Sequence, residues 1–297
     1  MQQKTRAFLK WAGGKYSLVE DIRTRLKQAS MDADTLVEPF VGAGSVFLNT
    51  DFKHYILNDI NADLINLYTE LKRTPDEFIS DAKKLFVELN NHPEAYYEYR
   101  VQFNQSSDVY ERAILFLYMN RHGYNGLCRY NLKGIFNVPF GKYKRPYFPE
   151  KEMHFFAEKA QQATFTCLGY DEVFKLIPNN AVVYCDPPYV PLSKTASFTS
   201  YAKGGFNLDD QANLANLAEQ AAFENNTPVL ISNHDTVWTR KIYSQASLDE
   251  IQVKRTISPK GGSRNKVNEL MAMYLAPKKR WNKSLLQTGW IKRGQWR

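Results

Sequence analysis

Apolar and polar positions follow two rhythms along the chain. Four short apolar runs read as buried strands: Thr35-Leu36-Val37-Glu38, His54-Tyr55-Ile56-Leu57-Asn58, Ala181-Val182-Val183-Tyr184-Cys185 and Pro228-Val229-Leu230-Ile231-Ser232. Each ends at Gly, Pro, Asp or Asn, residues that interrupt a strand. Elsewhere the apolar spacing changes to three and four residues, which predicts helices from Tyr16 to Leu26 and from Asn207 to Glu224. Strands alternating with helices predict an α/β fold with a doubly wound, mostly parallel sheet.

Between the second and third of these runs, from about Asn61 to about Gln162, lies an insert too long for a simple crossover. Leu64, Leu67, Tyr68 and Leu71 recur at helical spacing, Thr74-Pro75-Asp76-Glu77 is a helix start, and Arg112 to Arg121 is again apolar-periodic. From His122 to Phe148 the pattern turns to Gly, Asn, Tyr and Pro, which reads as a loop or hairpin. The expected division is a sheet domain over 1–60 and 163–276, an inserted helical domain over 61–162, and a tail over 277–297. No internal repeat or low-complexity tract is present.

Composition adds a basic bias: 39 Lys and Arg against 31 Asp and Glu, a formal charge of +8. Its location is more informative than its size. Arg121 to Phe148 holds six basic residues and no acid, and Leu270 to Arg297 holds seven and no acid, so the remainder is mildly acidic. Clustered positive charge points to a polyanion. The first cluster also interleaves Tyr124, Tyr130, Phe136, Phe140, Tyr143, Tyr147 and Phe148 with its cations, the mixture suited to phosphate contact and base stacking. Solvated charge is the plainer account, and it suits the tail better than this segment. Cys128, Cys167 and Cys185 are odd in number and lack metal-site spacing, so a reducing, cytoplasmic location without bound metal is expected. No apolar run of membrane-spanning length occurs, and neither membrane insertion nor export is expected.

Candidate chemistry sits at the ends of the strands. Asp186-Pro187-Pro188-Tyr189 follows the third apolar run directly, where ligands bind in open α/β sheets. A plain turn is the structural alternative. The tetrapeptide suits methyl transfer to an aromatic amino group, a poor nucleophile because its lone pair is delocalised. Acceptors on both N–H bonds, the Asp186 carboxylate and the Pro187 carbonyl, would favour the reactive pyramidal form. Tyr189 would stack on the base and hold it in line. The methylated nitrogen then loses its proton readily, so no tuned general base is required.

Glu38-Pro39-Phe40-Val41-Gly42-Ala43-Gly44-Ser45 is a strand running into a glycine turn. Phe47 replaces the third glycine of the dinucleotide fingerprint, which disfavours a dinucleotide. Asp59, ending the next strand, could accept both ribose hydroxyls of an adenosyl cofactor, with a helix cap as the alternative role. In Phe8-Leu9-Lys10-Trp11-Ala12-Gly13-Gly14-Lys15-Tyr16, Leu9 and Tyr16 break the nucleotide triphosphate pattern. Trp11 and Lys15 suit an adenine ring and a carboxylate, or else a core aromatic and a solvated charge.

The segments FLKWAGGK, LVEPFVGAGS, NDIN, NRHGYNGLCRYN, FNVPFGKY and VVYCDPPYVPLS occur in this order. Together they make the chain similar, from about Arg6 to about Tyr274, to Dam-type DNA adenine-N6 methyltransferases of the alpha group. The resemblance implies a Rossmann-like methyltransferase sheet with an inserted target-recognition domain carrying a β-hairpin loop. It also implies S-adenosylmethionine as donor, duplex DNA with a GATC site and a flipped-out adenine; a monomer is expected. Trp11, Lys15, Phe40, Asp59 and Asp186 match cofactor-binding positions, and Asp186, Pro187 and Tyr189 the catalytic ones.

The same likeness makes His122–Tyr143 the recognition hairpin. Arg129 would then read a guanine through its guanidinium fork. Lys10 would meet the first guanine, Leu127 and Pro139 would make apolar base contacts, Asn125, beside Tyr124, would occupy or fill the site around the extruded adenine, and Tyr143 would contact the DNA. Ser258 to Lys266 resembles a flexible basic clamp, whereas the tail departs from the family pattern and is expected to be disordered or accessory. Two other classes stay open: an amino-methyltransferase for cytosine N4 or RNA adenine, and a DNA-binding regulator with a silent cofactor pocket.

Overall fold

In a computed structural model of the chain, the structure describes residues 4–30, 32–190, 205–254 and 266–276. The tail, residues 258–265 of the basic loop and the last three residues of VVYCDPPYVPLS lie outside them. Among the described residues one seven-stranded sheet forms, ordered β3-β2-β1-β4-β5-β7-β6. Its strands are β1 (Thr35–Glu38), β2 (His54–Asn58), β3 (Ala163–Thr166), β4 (Ala181–Cys185), β5 (Val229–His234), β6 (Ser247–Lys254) and β7 (Lys266–Tyr274). Neighbours from β3 through β5 pair in parallel, and β7 runs antiparallel between β5 and β6. The fold is thus α/β, doubly wound and mostly parallel, as the hydrophobic pattern predicts.

Residues along each central strand alternate between two apolar cores because successive side chains leave opposite faces. Leu36, Val182, Tyr184, Leu230 and Met271 face one core. Val37, Val183, Cys185, Ile231 and Ala272 face the other. With both faces covered, these strands need continuous apolar runs rather than alternation.

The first core is covered by α1 (Val19–Ala29) and by four helices of the insert, α2 (Ala62–Arg73), α3 (Pro75–Lys84), α5 (Val109–His122) and α6 (Glu150–Lys159), with α4 (Pro93–Gln105) packed on α5. Leu64, Leu67, Tyr68 and Leu71 of α2 are fully buried, each burial contributing roughly 1.5–3 kcal/mol. Asn61 caps α2 by accepting from the Asp63 and Leu64 amides, and Pro75 opens α3 at the predicted start. The second core is covered by α7 (Tyr170–Phe174), α8 (Leu208–Phe223) and α9 (Val237–Ile242). Asn207 and Asp210 form a capping box at the start of α8.

The recognition segment corrects one expectation. His122–Tyr143 is not a continuous β-hairpin: it is an antiparallel loop closed by isolated bridges, Gly123 with Phe140 and Tyr130 with Phe136. Pro139 offers no N–H to a ladder, and positive φ at Asn125 and Gly126 bends one limb between the bridges, with Gly134 in the closing turn and Lys142 just beyond the outer bridge.

Candidate active site

Strand order reverses between β1 and β4, and the carboxyl ends of β2, β1 and β4 lie side by side there. Crossovers leaving in opposite directions open a crevice at such a point. The glycine turn after β1 forms one wall. Gly42 has φ +47°, and a Cβ on it would lie 2.8 Å from Trp11 Nε1, so both backbone and space demand glycine. Asp59 reaches this turn: Oδ2 accepts from the Gly42 amide at 3.1 Å and Oδ1 from the Asn61 amide at 3.0 Å. The cap of α2 is Asn61, so Asp59 is freed from that role, and burial pushes its carboxyl pKa up. Phe40 stacks on Tyr170 at 5.8 Å and meets Phe206 edge-on at 5.4 Å.

The second wall carries the tetrapeptide. Lys15, 6% exposed, places Nζ 2.9 Å from Asp186 Oδ1, and the Ser232 hydroxyl donates to the same oxygen at 3.0 Å. Both contacts fall on Oδ1, which leaves Oδ2 to accept from an incoming amino group. Lys15 Nζ also donates to the Gly13 carbonyl and stands 4.6 Å from the centre of the Tyr189 ring. The Tyr189 hydroxyl donates to Glu269 at 3.0 Å, while its ring meets His234 edge-on at 4.8 Å.

Beneath the loop, Gln211 donates to the Pro188 carbonyl and Asn233 accepts from the Val190 amide. Asn233 in turn donates to Gln211 and to Tyr243. This buried network fixes the main chain on both sides of Tyr189, and the carbonyl it leaves for an amino group is that of Pro187.

Glu38 carries the least expected feature. It is 2% exposed, and its Oε1 has no hydrogen-bond partner. Burial, reinforced by the Asp186 negative charge, holds its carboxyl pKa well above the usual range. A buried orphan acceptor is costly unless a ligand or proton answers it, and a cationic ligand group would do so.

A third cluster forms on the insert side. Lys10 packs its stem against Gly126, which has φ +62° and no room for a Cβ, and holds Nζ 3.6 Å from the Tyr143 ring centre. The Tyr143 hydroxyl accepts from the Asn125 amide at 3.0 Å. Asn120 fixes the Lys10 backbone from both sides, accepting from its N–H and donating to its carbonyl. Lys10, Asn125 and Tyr143 therefore come together. Leu127 packs partly into the core, Pro139 is exposed, and Arg129 makes its contacts with Asn137 instead, Nε to Oδ1 at 2.7 Å and Nη2 to the carbonyl at 3.3 Å. Two of its five N–H donors are thereby used and three remain.

Burial, with the neighbouring Arg121 charge, lowers the Lys10 pKa from 10.5 to about 8. Between those values the unfolded chain holds a proton that the native state has released, so Lys10 makes stability rise with pH. Below about 8 its charged form weighs against the fold. Thermal melts of the wild type and Lys10→Met across pH 7 to 10.5 are therefore expected to shift steadily in the wild type's favour, and parallel curves would rule this out.

Several residues escape sequence reasoning: Glu38, Gln211, Ser232, Asn233 and Tyr243 share no spacing. The available signals were an acid ending a buried strand and the polar Ser232-Asn233-His234 ending another. Two open surface grooves, one along α4 and one beside Lys159, hold none of the expected site residues. Among the described residues no group of three or more His, Cys, Asp or Glu could hold a metal ion, and no helix is long and apolar enough to cross a membrane.

A glycine turn and an Asp-Pro-Pro-Tyr loop on adjacent parallel strand ends define a methyltransferase acting on an amino group. The family model for D12 class N6 adenine-specific DNA methyltransferase matches residues 11–257, and the chain belongs to that family. It is 61% identical to a DNA adenine methylase of Vibrio cholerae serotype O1, over 92% of this chain and 97% of the relative. It is 57% identical to that of Escherichia coli K12 and 56% identical to that of Serratia marcescens, over 92% of this chain and 96% and 99% of theirs. The chain is an enzyme that methylates adenine N6 in DNA, which sets aside the cytosine, RNA and silent-regulator alternatives.

Proposed function

We propose that the enzyme transfers a methyl group from S-adenosylmethionine to N6 of an adenine swung out of duplex DNA, at GATC. The observation that carries the reading is Asp186, held on one oxygen by Lys15 and Ser232 beneath the face of Tyr189, with its second oxygen available. The crevice suits the donor. Trp11, Phe40 and Asp59 would hold the adenosine part, Lys15 the carboxylate, and the orphaned Glu38 answers a cationic group. When bound, S-adenosylmethionine supplies an electrophilic methyl group.

The protein's part is to present the nucleophile. Tyr189, fixed by Glu269 and His234, stacks on the base. Asp186 Oδ2 and the Pro187 carbonyl accept hydrogen bonds from the two amino N–H groups and draw the nitrogen lone pair out of the ring, and the methylated nitrogen afterwards sheds a single proton to Asp186 or solvent. Direct transfer follows with no covalent enzyme intermediate.

Residues 1–60 and 163–276 form the catalytic domain in this reading, and 61–162 the recognition domain. Lys10 meets the first guanine, Asn125 fills the space left by the adenine, Tyr143 contacts the DNA beside them, Arg129 reads a guanine, and Leu127 and Pro139 touch bases. GATC itself rests on the sequence resemblance. The enzyme acts as a cytoplasmic monomer. Sequencing the methylated positions of DNA exposed to the protein tests base and site together. N6-methyladenine confined to GATC is expected, and adenine methylation spread over unrelated sequences would overturn the site.

A further inference from the structure

Asp63 lies in the first turn of α2, buried, with both carboxylate oxygens engaged. Arg112 of α5 donates to Oδ1 through Nε at 3.0 Å and Nη2 at 2.8 Å, and the Tyr130 hydroxyl donates to Oδ2 at 2.7 Å. Arg112 also donates to the carbonyls of Phe103 and Ser106 at the end of α4. One carboxylate thus joins α2, the α4–α5 pair and the recognition loop.

Tyr130 directly follows Arg129. Side chains adjacent in extended chain leave opposite faces: Tyr130 turns inward, half-buried with its ring edge-on to Phe136 at 5.5 Å, and Arg129 is exposed. The returning limb of the loop is held separately, Phe136 by Asn104 and the Val138 carbonyl by Tyr96 and Arg100. The limb carrying Arg129 pairs with that returning limb, the Asn137 amide donating to the Arg129 carbonyl at 3.1 Å, and its tie to α2 is made at Tyr130, by Asp63. Packing does not need that hydroxyl, because a phenylalanine ring would fill the same space. Its effect is on register. Asp63 is itself fixed to the catalytic sheet, since Asn61 caps its helix while donating to Asp59.

We propose that Asp63 is a positioning residue for base discrimination: by holding Arg112 and the Tyr130 hydroxyl together, it sets where Arg129 meets the base pair. The inference rests on the reading of Arg129 as a base reader.

The test compares kcat/KM on a GATC duplex with duplexes altered at one base pair each, for wild type, Arg129→Ala, Tyr130→Phe, Asp63→Asn and the Arg129→Ala/Tyr130→Phe double variant. Tyr130→Phe is expected to lose discrimination about tenfold at the pair that Arg129→Ala affects and at no other. The double variant should lose no more than Arg129→Ala, because both act through one contact. Asp63→Asn, whose single amide oxygen cannot serve both Arg112 and the Tyr130 hydroxyl as the two carboxylate oxygens do, should lose discrimination at the same pair. Wild-type discrimination in Tyr130→Phe, or equal loss at every pair, overturns the role of Asp63. A wild type without preference, or Arg129→Ala with full discrimination, overturns the underlying reading instead. Should Asp63→Asn fail to fold, Tyr130→Phe, which keeps the ring, still decides.

Discussion

Replacing Asp186 with alanine is expected to lower kcat on the order of 10³-fold while duplex DNA binding survives. The substitution removes the acceptor that activates the amino group, an interaction made chiefly as the transition state forms, so kcat falls more than KM rises. It also leaves the buried Lys15 ammonium without its counter-charge, with the Gly13 carbonyl and the Tyr189 ring as its neighbours. Asp186→Asn separates these effects, because it keeps an amide oxygen for the substrate while withdrawing the charge opposite Lys15. Single-turnover transfer of labelled methyl groups to duplex DNA, measured beside DNA binding, checks both variants. Undiminished transfer by Asp186→Ala would remove the tetrapeptide from the mechanism.

Arg129→Ala is expected to cost about 1–3 kcal/mol of discrimination at one guanine, with little change in the rate on the preferred site at saturation. Asn137 holds the Arg129 guanidinium plane at Nε and Nη2, so the fork is already oriented before DNA arrives. The measurement is kcat/KM on duplexes changed one pair at a time, repeated at two salt concentrations. An equal loss on all sequences with a smaller salt dependence would mark Arg129 as a phosphate contact.

Much of this organisation is visible in the residues. The four apolar runs become β1, β2, β4 and β5 nearly residue for residue, because strands buried on both faces need unbroken apolar sequence. β3 escaped notice: Ala163-Thr164-Phe165-Thr166 is short, polar at alternate positions and partly exposed at the edge of the sheet. The helix starts at Asn61, Pro75 and Asn207 were legible because capping chemistry is local. The recognition loop is legible as a segment that doubles back on itself, whereas its lack of a continuous ladder is not, since its bends include Asn and Lys residues at positive φ that no spacing announces.

At the site, Asp186, Tyr189, Lys15 and Asp59 stood out by motif. Glu38 lies within LVEPFVGAGS, where nothing in the spacing sets it apart. What makes it unusual is burial beside another carboxylate, and that is a property of three strand ends meeting. Gln211, Asn233 and Tyr243 likewise become a unit only when α8, β5 and the chain after α9 converge.

The amino-terminal strip from Lys10 to Lys15 has a mechanical consequence. Its first residue is fastened to Asn120 in the insert and its last to Asp186 beside the catalytic loop. Five peptide units can span at most about 18 Å, a handful of base-pair steps along a duplex. With the residue roles proposed above, the strip is in effect a ruler, tying the place where DNA would be read to the place where it would be modified. Adding one residue within it would put reading and modification out of phase while leaving each intact, and a tether this short suits a target only a few base pairs long.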